Sequence, residues 1–256
     1  MRDTRAEPAK FYDLSPNLPR DVPFYIGRLP CPQARVLELG CGTGRVAIPL
    51  AAHCASVHGL DLSQAMVRIA REKLASVGLT ERIHIEVGDI SCFQLPQRFD
   101  FIIAPFRVLQ NLEFDSQVEG LFECIRTHLE PSGRCIVNAF RPNRNPDAMR
   151  ATWVSGEENL AWEVTTPDGR VACYDKRSRI DAERLVLYPE LVYRRFRGGE
   201  VVEEAVLQIA MRCYYPEDLT SVIESHGFRV LEKWGGYAGE AYGECNELVV
   251  EFAVEA

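Results

Sequence analysis

The chain has 256 residues, of which 46% are hydrophobic and 26% charged, and its formal net charge is -8. This composition is that of an ordinary globular protein, and the length is sufficient for a substantial apolar core. The acidic balance argues against an electrostatic nucleic-acid binder, which normally has a basic face, so we expect no nucleic-acid partner.

The nine cysteines are scattered along the chain and include no C-x-x-C pair. This usage is typical of a reducing compartment rather than of a disulfide framework. No His/Cys cluster has zinc-ligand spacing along the chain, so we expect no metal. The first residues lack an apolar signal core, and no apolar run is long enough to cross a membrane. We therefore expect a cytoplasmic protein without a membrane partner.

The chain begins with a proline-punctuated stretch, residues 1–34, for which we predict short helices joined by turns. A short apolar strand, Val36 to Leu39, follows and leads directly into a glycine-rich turn. Glycine permits a sharp turn and the close approach of a ligand to the backbone. A helical pattern starts at Arg45, and the first N–H groups of such a helix would point into the same gap.

A second strand, Ser56 to Leu60, ends on Asp61, a carboxylate placed to accept hydrogen bonds from the two hydroxyls of a ribose. Strand, glycine turn, helix, strand and acid together predict a nucleoside-binding unit. The turn reads G-x-G-x-G with Glu38 just before it, whereas a dinucleotide fingerprint reads G-x-G-x-x-G. A carboxylate beside the turn suits a cationic ligand and would repel a pyrophosphate.

Alternating helices and strands continue to Phe140 and predict a parallel sheet with helices on both faces. The predicted elements are a helix from Ser63 to Ser76 with Ser63 as its N-cap, strands Ile83 to Val87 and Arg98 to Ala104, a helix from Asp115 to Leu129, a turn at residues 130–133, and a strand from Arg134 to Phe140. In such sheets the ligand lies outside the carboxyl ends of the strands. Gly40, Asp61, Asp89 and the pair Pro105-Phe106 all fall at strand ends, so we expect them to converge on one site.

The pattern changes after Phe140. We predict extended segments joined by hairpin turns, which form a small inserted antiparallel sheet: Leu160 to Thr166, Val171 to Ile180, Leu185 to Phe196 and Val201 to Cys213. A helix from Pro216 to Ser225 and strands Phe228 to Trp234 and Glu247 to Phe252 then return to the core. The expected divisions are residues 1–34 as a lid, 35–141 with 214–256 as the ligand-binding core, and 142–213 as the inserted subdomain.

Several of these motifs resemble those of the class I S-adenosylmethionine (SAM) dependent methyltransferases. Glu38, Gly40, Gly42 and Gly44 fill the pattern E/D-x-G-x-G-x-G of that family's first motif, and Leu60 to Met66 is similar to its D-x-S-x-x-M segment. Gly88 to Ile90, Phe99 to Phe106 and the turn before the fifth strand resemble later motifs, so that the resemblance spans residues 36–140. It implies a Rossmann-like seven-stranded sheet, SAM as cofactor and S-adenosylhomocysteine as product.

The resemblance also implies roles for individual residues. The family's second acid holds the ribose, the third motif's Asp accepts from the adenine amino group, and the fourth motif lies beside the methyl group. Carried over to this chain, the cofactor-binding residues are Glu38, Gly40, Cys41, Gly42, Gly44, Asp61, Leu62, Met66, Asp89, Ile90, Pro105, Phe106 and Gln110.

For the methyl acceptor, the resemblance to small-molecule methyltransferases implies a small molecule. Tyr12, Arg107 and Asn111 are the candidate catalytic residues, with Gln110 beside them, because they lie on the lid or just after the fourth strand. The fourth motif lacks the acidic or Asn-led form of nucleic-acid amino methyltransferases, and no histidine follows the fourth strand as a general base. The methylated atom, nitrogen or oxygen, stays open, as does a monomer or a homodimer.

Two alternatives to a methyltransferase remain from the sequence. A non-catalytic SAM-binding protein would show the same motifs, since methyl transfer needs no obligatory catalytic side chain. An NAD-dependent oxidoreductase is the weaker alternative, because the turn spacing and Glu38 both count against it.

Overall fold

The computed structural model describes residues 3–255 and contains two β-sheets. The larger sheet has seven strands: β1 (Arg35–Leu39), β2 (Ser56–Asp61), β3 (Ile83–Val87), β4 (Phe99–Ala104), β5 (Leu129–Phe140), β11 (Phe228–Trp234) and β12 (Glu247–Val254). Their spatial order is β3-β2-β1-β4-β5-β12-β11. β12 runs antiparallel to both its neighbours, whereas the pairs among β1 to β5 are parallel. This is the predicted Rossmann-like sheet, and the fold class is confirmed.

Helices cover both faces of this sheet. The helices of the described residues are α1 (Ala9–Tyr12), α2 (Val22–Gly27), α3 (Ala47–Leu50), α4 (Gln64–Val77), α5 (Asp115–His128), α6 (Pro146–Thr152) and α7 (Pro216–Ser225), with a 3-10 helix at Val108–Asn111. Of these, α1 and α6 each pack a buried residue against the second sheet. The central strands are buried on both sides: Leu37 belongs to the apolar cluster with α5 and α7, and Val36 to the cluster with α3 and α4. In the sequence, strands that are buried on both sides appear as continuous runs of apolar residues. The order of the strands reverses at β1, because β2 and β3 lie on one side of it and β4 and β5 on the other. This reversal opens a crevice at the carboxyl ends of β1 and β4.

The second sheet has five antiparallel strands. They are β6 (Glu158–Thr166), β7 (Gly169–Asp181), β8 (Val186–Arg197), β9 (Glu200–Gln208) and β10 (Met211–Arg212). β8 is central, because it pairs with β7 on one side and with both β9 and β10 on the other. The side chain of Phe11, from the N-terminal segment, is buried in an apolar cluster with strands of this sheet.

Three predicted elements differ from the structure. The helix expected from Arg45 is only Ala47–Leu50, since residues 51–55 turn back to reach β2. The turn predicted at residues 130–133 is part of β5: between the pairs Phe99↔Leu129 and Phe101↔Arg134, β5 advances five residues and β4 two, so these residues form a bulge. The last segment of the insert is two strands, β9 and β10, rather than one. No helix within residues 3–255 has the length and apolar character needed to cross a membrane.

Candidate active site

The glycine turn after β1 holds three residues with positive φ, Gly40 (70°), Gly42 (55°) and Gly44 (77°). A Cβ on Gly40 would overlap the side chain of Val108, and one on Gly44 would lie 2.9 Å from Ile48 Cδ1, so a larger residue at either position would displace a neighbouring side chain as well as strain the backbone. A Cβ on Gly42 would meet no atom within 4 Å. Gly42 therefore leaves open space in front of the turn rather than avoiding a neighbour.

Asp61, at the carboxyl end of β2, is only 2% exposed and held in a fixed orientation. Its Oδ2 accepts a hydrogen bond from the backbone N–H of Gly42 (2.8 Å), and its Oδ1 accepts one from the N–H of Ser63 (2.8 Å). Each carboxylate oxygen has a second lone pair. The carboxylate can therefore accept two further hydrogen bonds, which is the number that a pair of ribose hydroxyls would donate.

Glu38 is buried beneath the glycine turn, with 2% of its surface exposed. No donor among residues 3–255 reaches its Oε2. Burial raises the pKa of Glu38 well above its usual value, against the opposing effect of the Arg45 guanidinium. The unpartnered oxygen leaves Glu38 able to accept a hydrogen bond, and the cationic ligand group that the sequence predicts would favour its charged form.

A strained turn follows β4. Phe106 (φ 53°) and Arg107 (φ 70°) both have left-handed backbone conformations, which are uncommon for residues other than glycine and cost about 1–3 kcal/mol each. The turn is fixed by the fully buried Asn138, whose Oδ1 accepts from the N–H of Arg107 (2.8 Å). Asn138 Nδ2 in turn donates to Glu247 Oε2 (2.7 Å). Strained turns that neighbouring residues hold in place are typical of functional sites.

We expect Asn138→Leu to destabilise the protein by about 1–3 kcal/mol, since the half-buried N–H of Arg107 and the Oε2 atom of Glu247 both lose the hydrogen bond that Asn138 makes with them. Urea unfolding followed by circular dichroism measures this change. Asn159→Leu on the exposed surface of β6 is the control and should have little effect. Equal stability of Asn138→Leu and the wild type would show that Asn138 does not support the turn.

One cavity of about 410 Å³ lies between the carboxyl ends of the core strands and the second sheet. Its volume is within the usual range for small-molecule sites, about 300–1,000 Å³. From the core it is lined by Gly40, Gly42, Asp61, Met66, Pro105, Phe106, Arg107, Val108, Asn111 and Phe140. From the N-terminal segment, α6 and the second sheet it is lined by Arg5, Tyr12, Ser15, Leu18, Trp153, Trp162, Asp175, Pro189, Leu191, Tyr193, Leu207, Ile209 and Met211.

The structure brings together nine of the residues predicted from the sequence. The predicted residues that line the cavity are Tyr12, Gly40, Gly42, Asp61, Met66, Pro105, Phe106, Arg107 and Asn111. The predicted residues that do not line it are Glu38, Cys41, Gly44, Leu62, Asp89, Ile90 and Gln110. Their roles in binding stay predictions.

The residues outside the cavity lining have other contacts. Gln110 is fully buried, and its amide bonds the backbone: Oε1 accepts from the N–H of Phe140 (2.7 Å) and Nε2 donates to the carbonyl of Arg212 (2.8 Å). Cys41 packs towards Gly59, and burial raises the pKa of its thiol well above the usual value. Asp89 Oδ1 accepts from the N–H (2.9 Å) and the hydroxyl (2.7 Å) of Ser91.

Two more of the predicted residues outside the cavity lining, Leu62 and Ile90, differ in burial. Leu62 is 57% exposed and stands in solvent beyond the end of β2, whereas Ile90 is buried in the apolar cluster that packs under α5. Neither position places a side chain at the cavity wall.

The three candidate catalytic residues are all engaged in contacts. Tyr12 makes an edge contact with the ring of Phe106 (6.4 Å between centroids), and burial raises the pKa of its hydroxyl. The guanidinium of Arg107 forms an ion pair with Glu247. Asn111 Oδ1 accepts from Arg5 Nη2 (3.1 Å), and its Nδ2 donates to the carbonyl of Ala210 (2.9 Å). Arg107 and Asn111 are therefore held at the wall of the cavity rather than free to swing into it.

Sequence reasoning missed the lining residues of the second sheet. Asp175 is one of two carboxylates at the cavity, with Asp61, among the lining residues described above. Burial raises the pKa of Asp175, opposed by Arg177, whose Nε lies 3.6 Å from Asp175 Oδ2. Trp162 and Tyr193 add aromatic walls. Alternation along β7 places Asp175 on one face, but no local signal in the sequence tells which face of the inserted sheet meets the core.

Comparisons with known proteins agree with this geometry. The profile of a family described as a methyltransferase domain matches residues 36–133. A demethylmenaquinone methyltransferase of Porphyromonas gingivalis is 32% identical over 193 residues, which cover 72% of this chain and 71% of that protein. A dTDP-3-amino-3,6-dideoxy-alpha-D-glucopyranose N,N-dimethyltransferase of Streptomyces fradiae is 30% identical over 159 residues, 61% of this chain and 58% of that protein.

The CcbJ methyltransferase of Streptomyces caelestis has the same fold, with a TM-score of 0.79 at 22% identity over 99% of this chain and 98% of that one. The chain spans about half the length of the first curated relatives it matches. The carboxylate of Asp61 and the open space at Gly42, which both line the cavity, fit SAM, the cofactor of this family. The chain therefore belongs to the class I SAM-dependent methyltransferases.

Proposed function

We propose that the enzyme transfers a methyl group from SAM to a nitrogen or oxygen atom of a small molecule bound in the cavity between the core and the second sheet. The observation that carries this proposal is that a single cavity is lined both by predicted cofactor residues, among them Asp61, and by side chains of the second sheet, among them Asp175. A donor and an acceptor bound in one enclosed space have their reacting atoms close together, which is the main requirement of a displacement reaction.

At the cofactor end, Asp61 would hold the ribose hydroxyls and Gly42 would leave room for the ligand. Glu38, which lies outside the cavity lining, would act on a cationic group only through its charge. When bound, SAM supplies a methyl group that is already activated on a sulfonium. The side chains of the chain then have two tasks, to hold the acceptor atom in line with that methyl group and to exclude water.

The N-terminal segment supports the proposed division into a lid, a core and an inserted subdomain. Asp13 accepts a hydrogen bond from the hydroxyl of Thr43 (2.8 Å) in the glycine turn and pairs with Lys73 Nζ (2.6 Å) on α4. Two residues earlier, Phe11 stacks on Tyr193 of β8, with 5.3 Å between ring centroids. Residues 1–34 would thus act as a lid that joins the cofactor loop to the acceptor-binding sheet.

At the acceptor end, the walls combine apolar and aromatic side chains with one carboxylate, Asp175. An apolar acceptor body would pack against Trp162 and Leu207, and an amine or hydroxyl group would face Asp175. A hydroxyl acceptor needs a general base within hydrogen-bond reach, whereas a neutral amine needs little help of this kind. Asp175 can serve the first as a base and position the second by a hydrogen bond.

The test is an assay of the purified enzyme with SAM and a panel of acceptors, with products detected by mass spectrometry. The panel contains amino sugars, as suggested by the name of the Streptomyces fradiae relative, together with quinol-like phenols, which correspond to the Porphyromonas gingivalis relative, and a transfer RNA as a macromolecular control. We expect a methyl-sized mass gain on a small molecule. SAM binding without a methylated product from any acceptor would favour the non-catalytic SAM-binding protein instead.

A further inference from the structure

Two histidines and a glutamate form a cluster at the free edge of the core sheet, outside the cavity lining. His58 lies on β2, and His84 and Glu86 lie on β3, which is the edge strand. His58 and His84 are direct partners in the parallel pairing of these strands. Residues two apart on a strand share a face, so Glu86 projects on the same side as His84.

The ligand atoms of these three side chains are close together. Glu86 Oε1 lies 2.8 Å from His58 Nε2, and Glu86 Oε2 lies 3.5 Å from His84 Nε2. All three groups offer a ligand atom within 4.8 Å of the others. Tetrahedral zinc with bonds of about 2.0–2.2 Å places its ligand atoms about 3.3 Å apart, so small side-chain rotations suffice to enclose an ion.

The cluster is both supported and accessible. The side chain of His58 is 13% exposed and rests edge-on against Phe99, with 6.0 Å between ring centroids. His84 and Glu86 are 63% and 38% exposed, so one side of the cluster opens to solvent. A metal site with three protein ligands keeps such an open position for water.

We propose that His58, His84 and Glu86 bind a borderline divalent ion of the Zn²⁺ type, with water as the fourth ligand. The ion would clamp the edge strand β3 onto β2, the strand that ends in Asp61. Two imidazoles and a carboxylate are the ligand types that zinc prefers. The expectation of no metal was based on spacing along the chain, and the ligands lie 26 residues apart (58 to 84) until strand pairing brings them together.

The experiment titrates the metal-free full-length protein with Zn²⁺ alone in a calorimeter. We expect saturable binding of one ion and a higher melting temperature with Zn²⁺, because an ion that binds only the folded state stabilises it. His84→Asn and Glu86→Gln should each weaken binding by at least about tenfold, and both are exposed enough to leave folding intact. His53→Asn, at an exposed histidine outside the cluster, is the matched control and should bind as the wild type does.

Two results would overturn the proposal. One is a wild-type protein that shows no saturable Zn²⁺ binding and no shift in melting temperature. The other is binding that is unchanged in both His84→Asn and Glu86→Gln, which would assign the ion to exposed thiols such as those of Cys31 and Cys92.

Discussion

Asp61→Asn should weaken the binding of SAM and of S-adenosylhomocysteine by about 10²–10⁴-fold. The variant would lack the two charge-assisted hydrogen bonds that the Asp61 carboxylate accepts from the ribose, each of about 1.5–3 kcal/mol. In the wild type the backbone N–H groups of Gly42 and Ser63 each donate to a carboxylate oxygen of Asp61 at 2.8 Å. The NH₂ group of the asparagine would face one of these N–H groups, so that two donors would oppose each other. Calorimetric titration with each ligand measures the change.

The matched control is Asp100→Asn on β4. Asp100 also accepts a hydrogen bond from a backbone N–H, that of Arg35 at 2.8 Å, but it does not line the cavity. This variant should bind SAM with wild-type affinity. If Asp61→Asn bound SAM within a few-fold of the wild type, the assignment of Asp61 to the ribose would be wrong.

Asp175→Asn should lower kcat/KM for a hydroxyl-bearing acceptor by about 10²–10⁴-fold, the usual contribution of a general base, and leave SAM affinity unchanged. Only the deprotonated carboxylate can take a proton from the acceptor. Because burial raises the pKa of Asp175, the rate of the wild type should fall with decreasing pH at a value above that of an ordinary aspartate. The variant should lack this acid limb, and a pH–rate profile measures both effects.

Glu163→Gln on β6 is the control for this change. Glu163 is an exposed carboxylate of the same sheet, paired with Arg170 (2.8 Å) outside the cavity. We expect its kinetics to match the wild type. Equal losses in the two variants would mean that charge on the sheet, and not Asp175, matters. An unchanged acid limb in Asp175→Asn would assign the titration to another group.

The core could be predicted from the sequence because local patterns and tertiary structure agree there. β3 and α7 have the predicted bounds, and the N-cap of α4 is Ser63, whose hydroxyl accepts from the N–H of Met66 (3.2 Å). The predicted strand ends converge because parallel strands point their carboxyl ends at one edge. The helix after the glycine turn, α3, is shorter than predicted. Its length is limited because the chain must turn back to reach β2, although the apolar pattern would allow a longer helix.

The acceptor half of the site could not be predicted in the same way. Polar and apolar residues alternate along the strands of the insert, which predicts two different faces. Which face packs against the lid depends on contacts between residues remote in sequence, such as that of Phe11 with Tyr193. Gln110 shows the opposite case, since a residue at a suitable position in the chain is occupied by hydrogen bonds to backbone groups of Phe140 and Arg212. The pairing of His58 with His84 is likewise invisible to spacing along the chain.

The measurement that tests the central claim most directly is transfer of an isotope-labelled methyl group from SAM to the acceptor panel by the wild type and by Leu207→Trp. Leu207 is buried at the second-sheet wall of the cavity, whereas Asp61 and Gly42 line it from the core, so we expect a larger ring at position 207 to fill the acceptor end. We predict a labelled small molecule from the wild type, and no product from Leu207→Trp at unchanged SAM affinity. Full transfer by Leu207→Trp, or label found on the transfer RNA alone, would contradict a shared cavity for SAM and a small-molecule acceptor.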